Sequence, residues 1–290
     1  MTAPDYELVP LIPDLRVAVP RSLDLITHYV LKEQGDWFEA ELEFVRALVR
    51  PGMHVLDIGA NYGVYALTLG RCAAPSGKVW AFEPTHATAE LGWSNIFFLK
   101  LDAEGEEERI LEGGRQFIAA NDPLCLFELK HGTLVNTALL SGFQAQGLAL
   151  YRLVPGLNVL VPFSPEIAPD PFQLNLFACS PERAHECAKL GLLANSTGNA
   201  ESLDPGDRWS TVAAEWPYAR QLNARWAESR TTSLGEEREQ VGEREQVEGA
   251  LGGYALARDR RVPAEIRYAA LQAGFNTLTS LLKVLARTTP

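Results

Sequence analysis

The sequence contains few cysteines, and none of them lies in a pattern that binds metal. The four cysteines among 290 residues are widely separated, form no Cys-x-x-Cys pair and have no cluster of histidines nearby: Cys72, Cys125, Cys179 and Cys187. Zinc sites and disulfide frameworks depend on such spacing. We therefore expect neither a metal site nor disulfide bonds, and instead reduced thiols in a cytoplasmic protein.

Basic residues are also fewer than acidic residues. Lysines and arginines number 26 against 37 aspartates and glutamates, which gives a formal net charge of -11. Nucleic acids and anionic membranes are bound mainly through clustered basic side chains. The charge therefore argues against nucleic acid and membrane partners and favours a neutral or cationic partner.

Long apolar runs are absent as well. The sequence has no stretch of about 18 apolar residues, the length that a membrane-spanning helix needs. Residues 1–19 are interrupted by Pro4, Pro10 and Pro13 and carry acidic side chains, which breaks the apolar centre that a signal peptide requires. We expect no spanning helix and no secretion.

Apolar residues nevertheless make up 47% of the chain, enough for a substantial core, and they recur in alternating helix and strand patterns. Pro51-Gly52 ends the first predicted helix before the first predicted strand. Helices are predicted over 37–49, 62–72, 106–120 and 133–144, and strands over 53–58, 78–82, 96–101 and 124–129. This alternation is typical of an α/β protein with a parallel, doubly wound sheet.

Three further β-leaning segments, 151–154, 158–162 and 174–178, predict antiparallel strands at one edge of the sheet. Upstream, residues 1–34 are interpreted as an N-terminal extension to an α/β domain over 35–195. Helix-forming residues dominate 196–290, where a six-residue unit occurs twice and indicates a solvated helix face or a linker. An apolar stripe within 266–285 predicts a helix that packs on the core or on a second subunit.

The most informative motif follows the first predicted strand. Asp57 ends that strand, Gly59 and Gly63 allow a tight turn, and a helix begins directly afterwards. Glu83 ends the second strand, where an acid can accept hydrogen bonds from both hydroxyls of a ribose. The two strand ends predict one site for a nucleotide-type cofactor.

Departures from the Gly-x-Gly-x-x-Gly pattern indicate which cofactor this is. Asp57 occupies the position of the first glycine, and a carboxylate there repels the pyrophosphate of a dinucleotide. S-adenosylmethionine carries a sulfonium, an amino group and a ribose but no phosphate, so we favour it over the alternative of NAD and an oxidoreductase. The predicted cofactor-binding residues are Asp57, Gly59, Ala60, Asn61, Gly63 and Glu83.

The chain resembles the FkbM-type methyltransferases that depend on S-adenosylmethionine. The resemblance covers roughly residues 35–180 and is carried by segments 57–63 and 82–84 and, most specifically, by Lys100-x-Asp102-x-Glu104-Gly105 with Glu107 and Leu111. It implies a class I, Rossmann-like fold and an O-methyltransferase. The implied acceptor is a hydroxyl of a sugar, a glycan or a natural product.

Methyl transfer to an alcohol needs positioned reactants and a base that takes the hydroxyl proton. Asp102 and Glu104 end a predicted strand beside the cofactor, and His131 follows the next strand, so each is a candidate base. Spacing does not choose among them. Glu104 has the alternative role of capping the helix that begins near residue 106.

Only nineteen steps separate Glu83 from Asp102, too few for the two helices and the strand that a methyltransferase sheet normally has there. We therefore expect the third strand to be missing and the sheet to end at the second strand. This loss favours an alternative function, a weakly active or inactive protein of the same fold whose helical tail binds other proteins.

Overall fold

A computed structural model of the protein describes residues 6–12, 14–22, 25–83, 94–103, 105–131, 134–166, 174–195, 206–215 and 238–288. The chain divides into two compact units, residues 1–192 and 193–290. No helix in the described ranges is both long enough and apolar enough to cross a membrane.

The first unit contains the strands and most of the helices. Its strands are β1 (Tyr6–Leu11), β2 (Leu15–Pro20), β3 (His54–Ile58), β4 (Lys78–Phe82), β5 (Ile96–Leu101), β6 (Leu124–Glu128), β7 (Lys130–His131), β8 (Leu134–Val135), β9 (Ala149–Val154), β10 (Val159–Pro162) and β11 (Asn175–Cys179). Its helices are α1 (Ile26–Gln34), α2 (Ala40–Leu48), α3 (Val64–Ala73), α4 (Glu107–Gly113), α5 (Arg115–Asn121), α6 (Thr137–Ala145) and α7 (Pro181–Lys189).

Seven strands form the central sheet in the order β10-β9-β11-β6-β5-β3-β4. Strands β4, β3, β5 and β6 are parallel neighbours. The other three strands are antiparallel to their neighbours: β11 pairs with β6 and with β9, and β9 pairs with β10. The predicted α/β class, with its parallel strands and antiparallel edge, is confirmed. At the opposite edge the described sheet ends at β4, while residues 84–93, on which the expected loss of a strand depends, lie outside the described residues.

Aromatic side chains fill the core on both faces of this sheet. Phe44 of α2 packs edge-to-face on Phe177 of β11, with ring centroids 5.1 Å apart. Phe127 of β6 contacts Phe143 of α6 at 4.5 Å. All four side chains are at most 1% exposed, and burial of each contributes about 1.5–3 kcal/mol. Helices α2 and α6 therefore pack on the sheet at β11 and β6.

Several predicted boundaries are wrong. The helix expected over 106–120 is two helices, α4 and α5, which meet at Gly114; the Gly113-Gly114 pair has low helix propensity, and this favours a break. The helix expected from residue 37 begins at Ala40 because Glu39 has an extended backbone. The helix expected from 133 begins at Thr137, where the side chain of Asn136 caps the Leu139 amide.

The N-terminal region holds ordered structure that the sequence did not indicate. Strands β1 and β2 form an antiparallel hairpin in which Tyr6 pairs with Pro20. Its alternate residues Val9, Val17 and Val19 are buried, as a strand with one apolar face requires. Helix α1 follows the hairpin, so the predicted extension over 1–34 contributes two strands and a helix to the first unit.

The second unit is helical in its described part, as predicted. It contains a short 3-10 turn (Gly206–Arg208), α8 (Trp209–Glu215), α9 (Arg238–Arg258) and α10 (Ala264–Thr288). Helices α9 and α10 approach closely, because a Cβ added to Gly274 would lie 2.8 Å from the carbonyl oxygen of Ala250. Phe275 and Leu282 of α10 are 68% and 66% exposed. Packing of this helix on a second copy stays a prediction.

Candidate active site

The loop between β3 and α3 has the tight turn that its glycines predict. Gly59 and Gly63 have φ angles of +82° and +83°, and Asn61 adopts a left-handed φ of +47°. A left-handed conformation was one of two roles open to Asn61. A Cβ on Gly59 would lie 1.5 Å from the carbonyl oxygen of Asp102. Only glycine therefore lets this loop touch the end of β5.

Hydrogen bonds join this loop to the end of β4. The amides of Gly59 and Ala60 donate to the carbonyl oxygen of Phe82 at 2.7 and 2.9 Å. The Asn61 amide donates to a carboxylate oxygen of Glu83 at 2.6 Å. The Gly63 amide donates to the Ala60 carbonyl oxygen at 2.7 Å. All four amides are therefore engaged within the protein, and none is available to a phosphate group.

Asp57 is the most unusual group in this region. Its side chain is completely buried, and neither carboxylate oxygen has a hydrogen-bond partner. Burial raises its pKa to about 6, while the charge of Lys100 opposes the rise and that of Asp102 adds to it. The Ala66 amide also lowers the pKa, although it does not meet the geometry of a hydrogen bond to the carboxylate. A buried carboxylate without a donor is costly, so a cationic ligand at this point would stabilise it.

Lys100 lies next to Asp57, because the two residues are register partners on the parallel strands β3 and β5. Its ammonium donates to Asp102 at 2.8 Å and approaches the carbonyl oxygen of Gly59 at 3.4 Å. It also lies 5.2 Å from the centre of the Tyr65 ring, at a distance typical of a cation–π contact. Lys100 therefore connects the ends of both strands and the glycine turn.

A cleft opens beside these groups. Asp57, Lys100, Asp102 and the turn residues 59–62 line it. Thr27 of α1, Trp37 and Glu39 also line it, as do Val64 and Tyr65 of α3. The enclosed volume is about 90 Å³, whereas small-molecule pockets usually measure about 300–1,000 Å³. A space of this size holds only part of a ligand, and the cleft is open on one side, so the rest of a ligand would lie outside it.

Tyr65 and Glu39, which both line the cleft, are joined by a hydrogen bond. The Tyr65 hydroxyl donates to one carboxylate oxygen of Glu39 at 2.7 Å. Burial raises the pKa of Tyr65 well above its usual value, and the adjacent Glu39 carboxylate adds to this effect. Tyr65 therefore remains a neutral hydrogen-bond donor that holds Glu39 in place.

Similarity to known proteins is found in structure and not in sequence. No protein-family model and no curated protein matches the sequence. One similar solved structure is an S-adenosylmethionine-dependent O-methyltransferase from Thermotoga maritima, with 15% identity, a TM-score of 0.35 and coverage of 62% of this chain and 94% of that one. Another is a TehB-like S-adenosylmethionine-dependent methyltransferase from Corynebacterium glutamicum, with 12% identity, a TM-score of 0.32 and coverage of 52% and 92%. These likenesses are distant.

The structure brings most of the predicted cofactor residues together. Asp57, Gly59, Ala60 and Asn61 all line the cleft, and Asp102 joins them from β5. Gly63 caps α3 and Glu83 accepts the Asn61 amide, but neither residue lines the cleft. The role of Glu83 as a ribose ligand stays a prediction.

Of the three candidate bases, Asp102 is the one whose side chain the structure describes. Asp102 lies on the cleft with its side chain 41% exposed and one oxygen paired to Lys100. Glu104 lies outside the described residues, as does the side chain of His131, whose backbone belongs to β7. Glu107 accepts the Ala103 amide at 2.8 Å and the Gly105 amide at about 3 Å. Glu107 therefore fixes the loop before α4. Across the described ranges, no three histidine, cysteine or acidic side chains come close enough to hold a metal ion.

Seven residues that line the cleft were not predicted as site residues: Thr27, Trp37, Glu39, Tyr62, Val64, Tyr65 and Lys100. The sequence did contain a pattern that indicates Lys100, because this residue lies two positions before Asp102 on a strand and so shares a face with it. No local sequence pattern indicates Thr27, Trp37 or Glu39, because their position depends on how α1 and α2 pack on the sheet.

Proposed function

We propose that this chain is a class I methyltransferase of the FkbM type that uses S-adenosylmethionine and methylates a hydroxyl of a saccharide or a related metabolite. The observation that carries the proposal is Asp57, a fully buried carboxylate on the cleft wall with no donor to either oxygen. An ammonium or sulfonium group beside it would supply the missing positive charge.

The same loop disfavours a dinucleotide. Dinucleotide-binding proteins present free loop amides to the pyrophosphate. Here the amides of Gly59, Ala60, Asn61 and Gly63 are all bonded within the protein, and Asp57 lies beneath them. A phosphate would meet a carboxylate and find no donor among these amides. A phosphate-free cofactor with a cationic end fits the loop better.

The FkbM assignment is supported by the third motif. Lys100 and Asp102 pair at 2.8 Å, Gly105 takes a φ of +102°, and Glu107 gathers the amides of the loop between them. Lys100, Asp102, Gly105 and Glu107 of this motif thus each have a structural role at or just after the end of β5. When bound, S-adenosylmethionine supplies the methyl group. Asp57, Gly59, Ala60, Asn61, Gly63 and Glu83 are the residues proposed to hold it.

Calorimetric titration with S-adenosylhomocysteine tests this proposal, with NAD as the comparison ligand. We expect saturable binding of S-adenosylhomocysteine and none of NAD. Asp57→Asn keeps the side-chain shape but removes the charge, so it should weaken binding about tenfold to a hundredfold. Binding should also weaken in the wild type below pH 6, where Asp57 becomes protonated.

Glu108→Gln serves as the matched control, because Glu108 is an exposed acid on α4. Equal affinity in Asp57→Asn and wild type would contradict the role of Asp57. Binding of NAD in preference to S-adenosylhomocysteine would favour the oxidoreductase alternative. Cofactor binding without transfer to any acceptor would favour the inactive, protein-binding alternative.

A further inference from the structure

The segment between α1 and α2, residues 35–39, is held rigidly at the cleft. Gly35 ends α1 with a φ of +68°, and its carbonyl oxygen accepts the Ile12 amide at 3.0 Å. Asp36 accepts two hydrogen bonds from the Arg46 guanidinium, at 2.5 and 2.6 Å, and one from the Trp37 amide at 2.7 Å. A bidentate Arg–carboxylate pair fixes geometry more strictly than a single bond. The segment is therefore preorganised.

This segment presents two kinds of group. Trp37 lines the cleft, and its ring centroid lies 4.8 Å from that of Phe38, which is 56% exposed. Glu39 lines the cleft two residues later, with one carboxylate oxygen held by the Tyr65 hydroxyl. An aromatic side chain and a fixed carboxylate thus line the same cleft as Asp57 and Asp102.

We infer that residues 35–39 recognise the methyl acceptor, with Trp37 stacking on a neutral sugar ring and Glu39 accepting a hydrogen bond from the hydroxyl that is methylated. This inference rests on the proposed function and names its substrate class. Glu39 is then a catalytic residue, and Tyr65 and Asp36 are positioning residues.

The charges of the cleft favour a neutral saccharide. Its described wall carries the carboxylates of Glu39, Asp57 and Asp102 and one ammonium, that of Lys100. An acidic or phosphorylated acceptor would be repelled by this excess of negative charge. A pyranose instead offers hydroxyls to the carboxylates and a face of polarised C–H groups to the electron-rich face of an indole. A flat aromatic acceptor would use the indole but would offer fewer hydroxyls to the carboxylates.

The transfer step balances with these groups. The acceptor oxygen forms a bond to the methyl carbon as the carbon–sulfur bond breaks, and the electron pair of that bond stays on sulfur as a thioether. The hydroxyl proton passes to the Glu39 carboxylate late in the step and then to water. A positioned base of this kind contributes about 10² to 10⁴ in rate.

The test uses the full chain saturated with S-adenosylhomocysteine and four neutral probes: the methyl glycosides of glucose, galactose, mannose and rhamnose. Saturation-transfer NMR should show contact with the ring protons of at least one glycoside. Trp37→Ala should weaken that glycoside about tenfold, and Glu39→Gln should lower its methylation by S-adenosylmethionine about a hundredfold. Affinity for S-adenosylhomocysteine should stay within twofold in both variants, which also shows that they fold.

Trp80→Phe is the matched control, because Trp80 lies on β4 and packs on His54 and the core, away from the cleft. Several outcomes overturn the inference: no glycoside binds the wild-type complex, a glucuronide or a catechol binds better than every neutral glycoside, or either variant loses S-adenosylhomocysteine as strongly as the glycoside. If wild type does not bind S-adenosylhomocysteine at all, the proposed function itself fails, and this result is distinct from the others.

Discussion

Asp57 is a buried ionisable side chain, and its burial makes the stability of the protein depend on pH. Its pKa is raised from 3.8 to about 6 by desolvation. The folded protein therefore binds this proton more tightly than the unfolded chain does, and the free energy of unfolding falls as pH rises from about 4 to above 6. The loss from this one group is about 3 kcal/mol.

Asp57→Asn removes this titration. We expect urea unfolding at pH 7.5 to show the variant more stable than wild type, by up to about 3 kcal/mol, and the difference to vanish near pH 4. The exposed-acid variant Glu108→Gln should leave the pH dependence unchanged. A stability difference that stays constant between the two pH values would mean that Asp57 does not titrate in this range.

Gly59 is constrained by its close contact with the backbone of Asp102. Gly59→Ala places a methyl group on the Asp102 carbonyl, so the turn must move away from β5. We expect a loss of about 3 kcal/mol or more in unfolding free energy and loss of S-adenosylhomocysteine binding. Gly156→Ala is the matched control, because Gly156 has a φ of +81° but open space around it. That variant should lose only about 1–2 kcal/mol and should still bind.

At the level of single residues, the sequence predicted the site residues that lie at or just after the end of a strand. Asp57, the turn glycines and Asp102 could be found because the end of a parallel strand is marked by local pattern. Trp37 and Glu39 could not, because they lie in a connection before a helix, and only packing brings that connection to the cleft. The cleft is therefore half predictable from local sequence and half set by tertiary contacts.

Among the elements, α4 depends on Glu107 for its first turn. This buried carboxylate accepts the amides of Ala103 and Gly105, which follow β5. Glu107→Gln keeps the shape but presents an NH₂ group to amides that need an acceptor. We expect about 1–3 kcal/mol of destabilisation by thermal or urea unfolding and weaker S-adenosylhomocysteine binding, because the same loop carries Asp102.

Glu108→Gln is again the comparison, since it changes the neighbouring exposed residue of the same helix. The two variants should differ clearly in both unfolding and binding. Equal behaviour would mean that the amides of the loop are satisfied by water and that Glu107 does not hold it.

The type of each element was easier to predict than its limits. The apolar period of 37–49 indicated a helix correctly, yet α2 begins only at Ala40, after the segment that reaches the cleft. The break at Gly114 divides another predicted helix in two. Periodicity identifies a buried face but carries little information about where a backbone leaves the helix.

At the scale of the whole molecule, the predicted sheet class follows from the alternation of strands and helices, and the antiparallel edge follows from the β-leaning segments near residues 151–178. The N-terminal hairpin was not predicted, because its prolines obscure a period-two pattern that appears only once the pairing of Tyr6 with Pro20 is known. Long-range pairing of this kind leaves little local signal.

The described candidate residues of the cleft, from Thr27 to Asp102, all belong to the first unit, residues 1–192. A chain that ends at Leu192 should therefore keep the cofactor site. We expect it to fold with the same sheet by circular dichroism and to bind S-adenosylhomocysteine within about twofold of the full chain. Asp57→Asn in the shortened chain should weaken binding by the same factor as in the full chain, since sites without shared partners act independently. A folded short chain that does not bind would show that residues 193–290 contribute to the cofactor site.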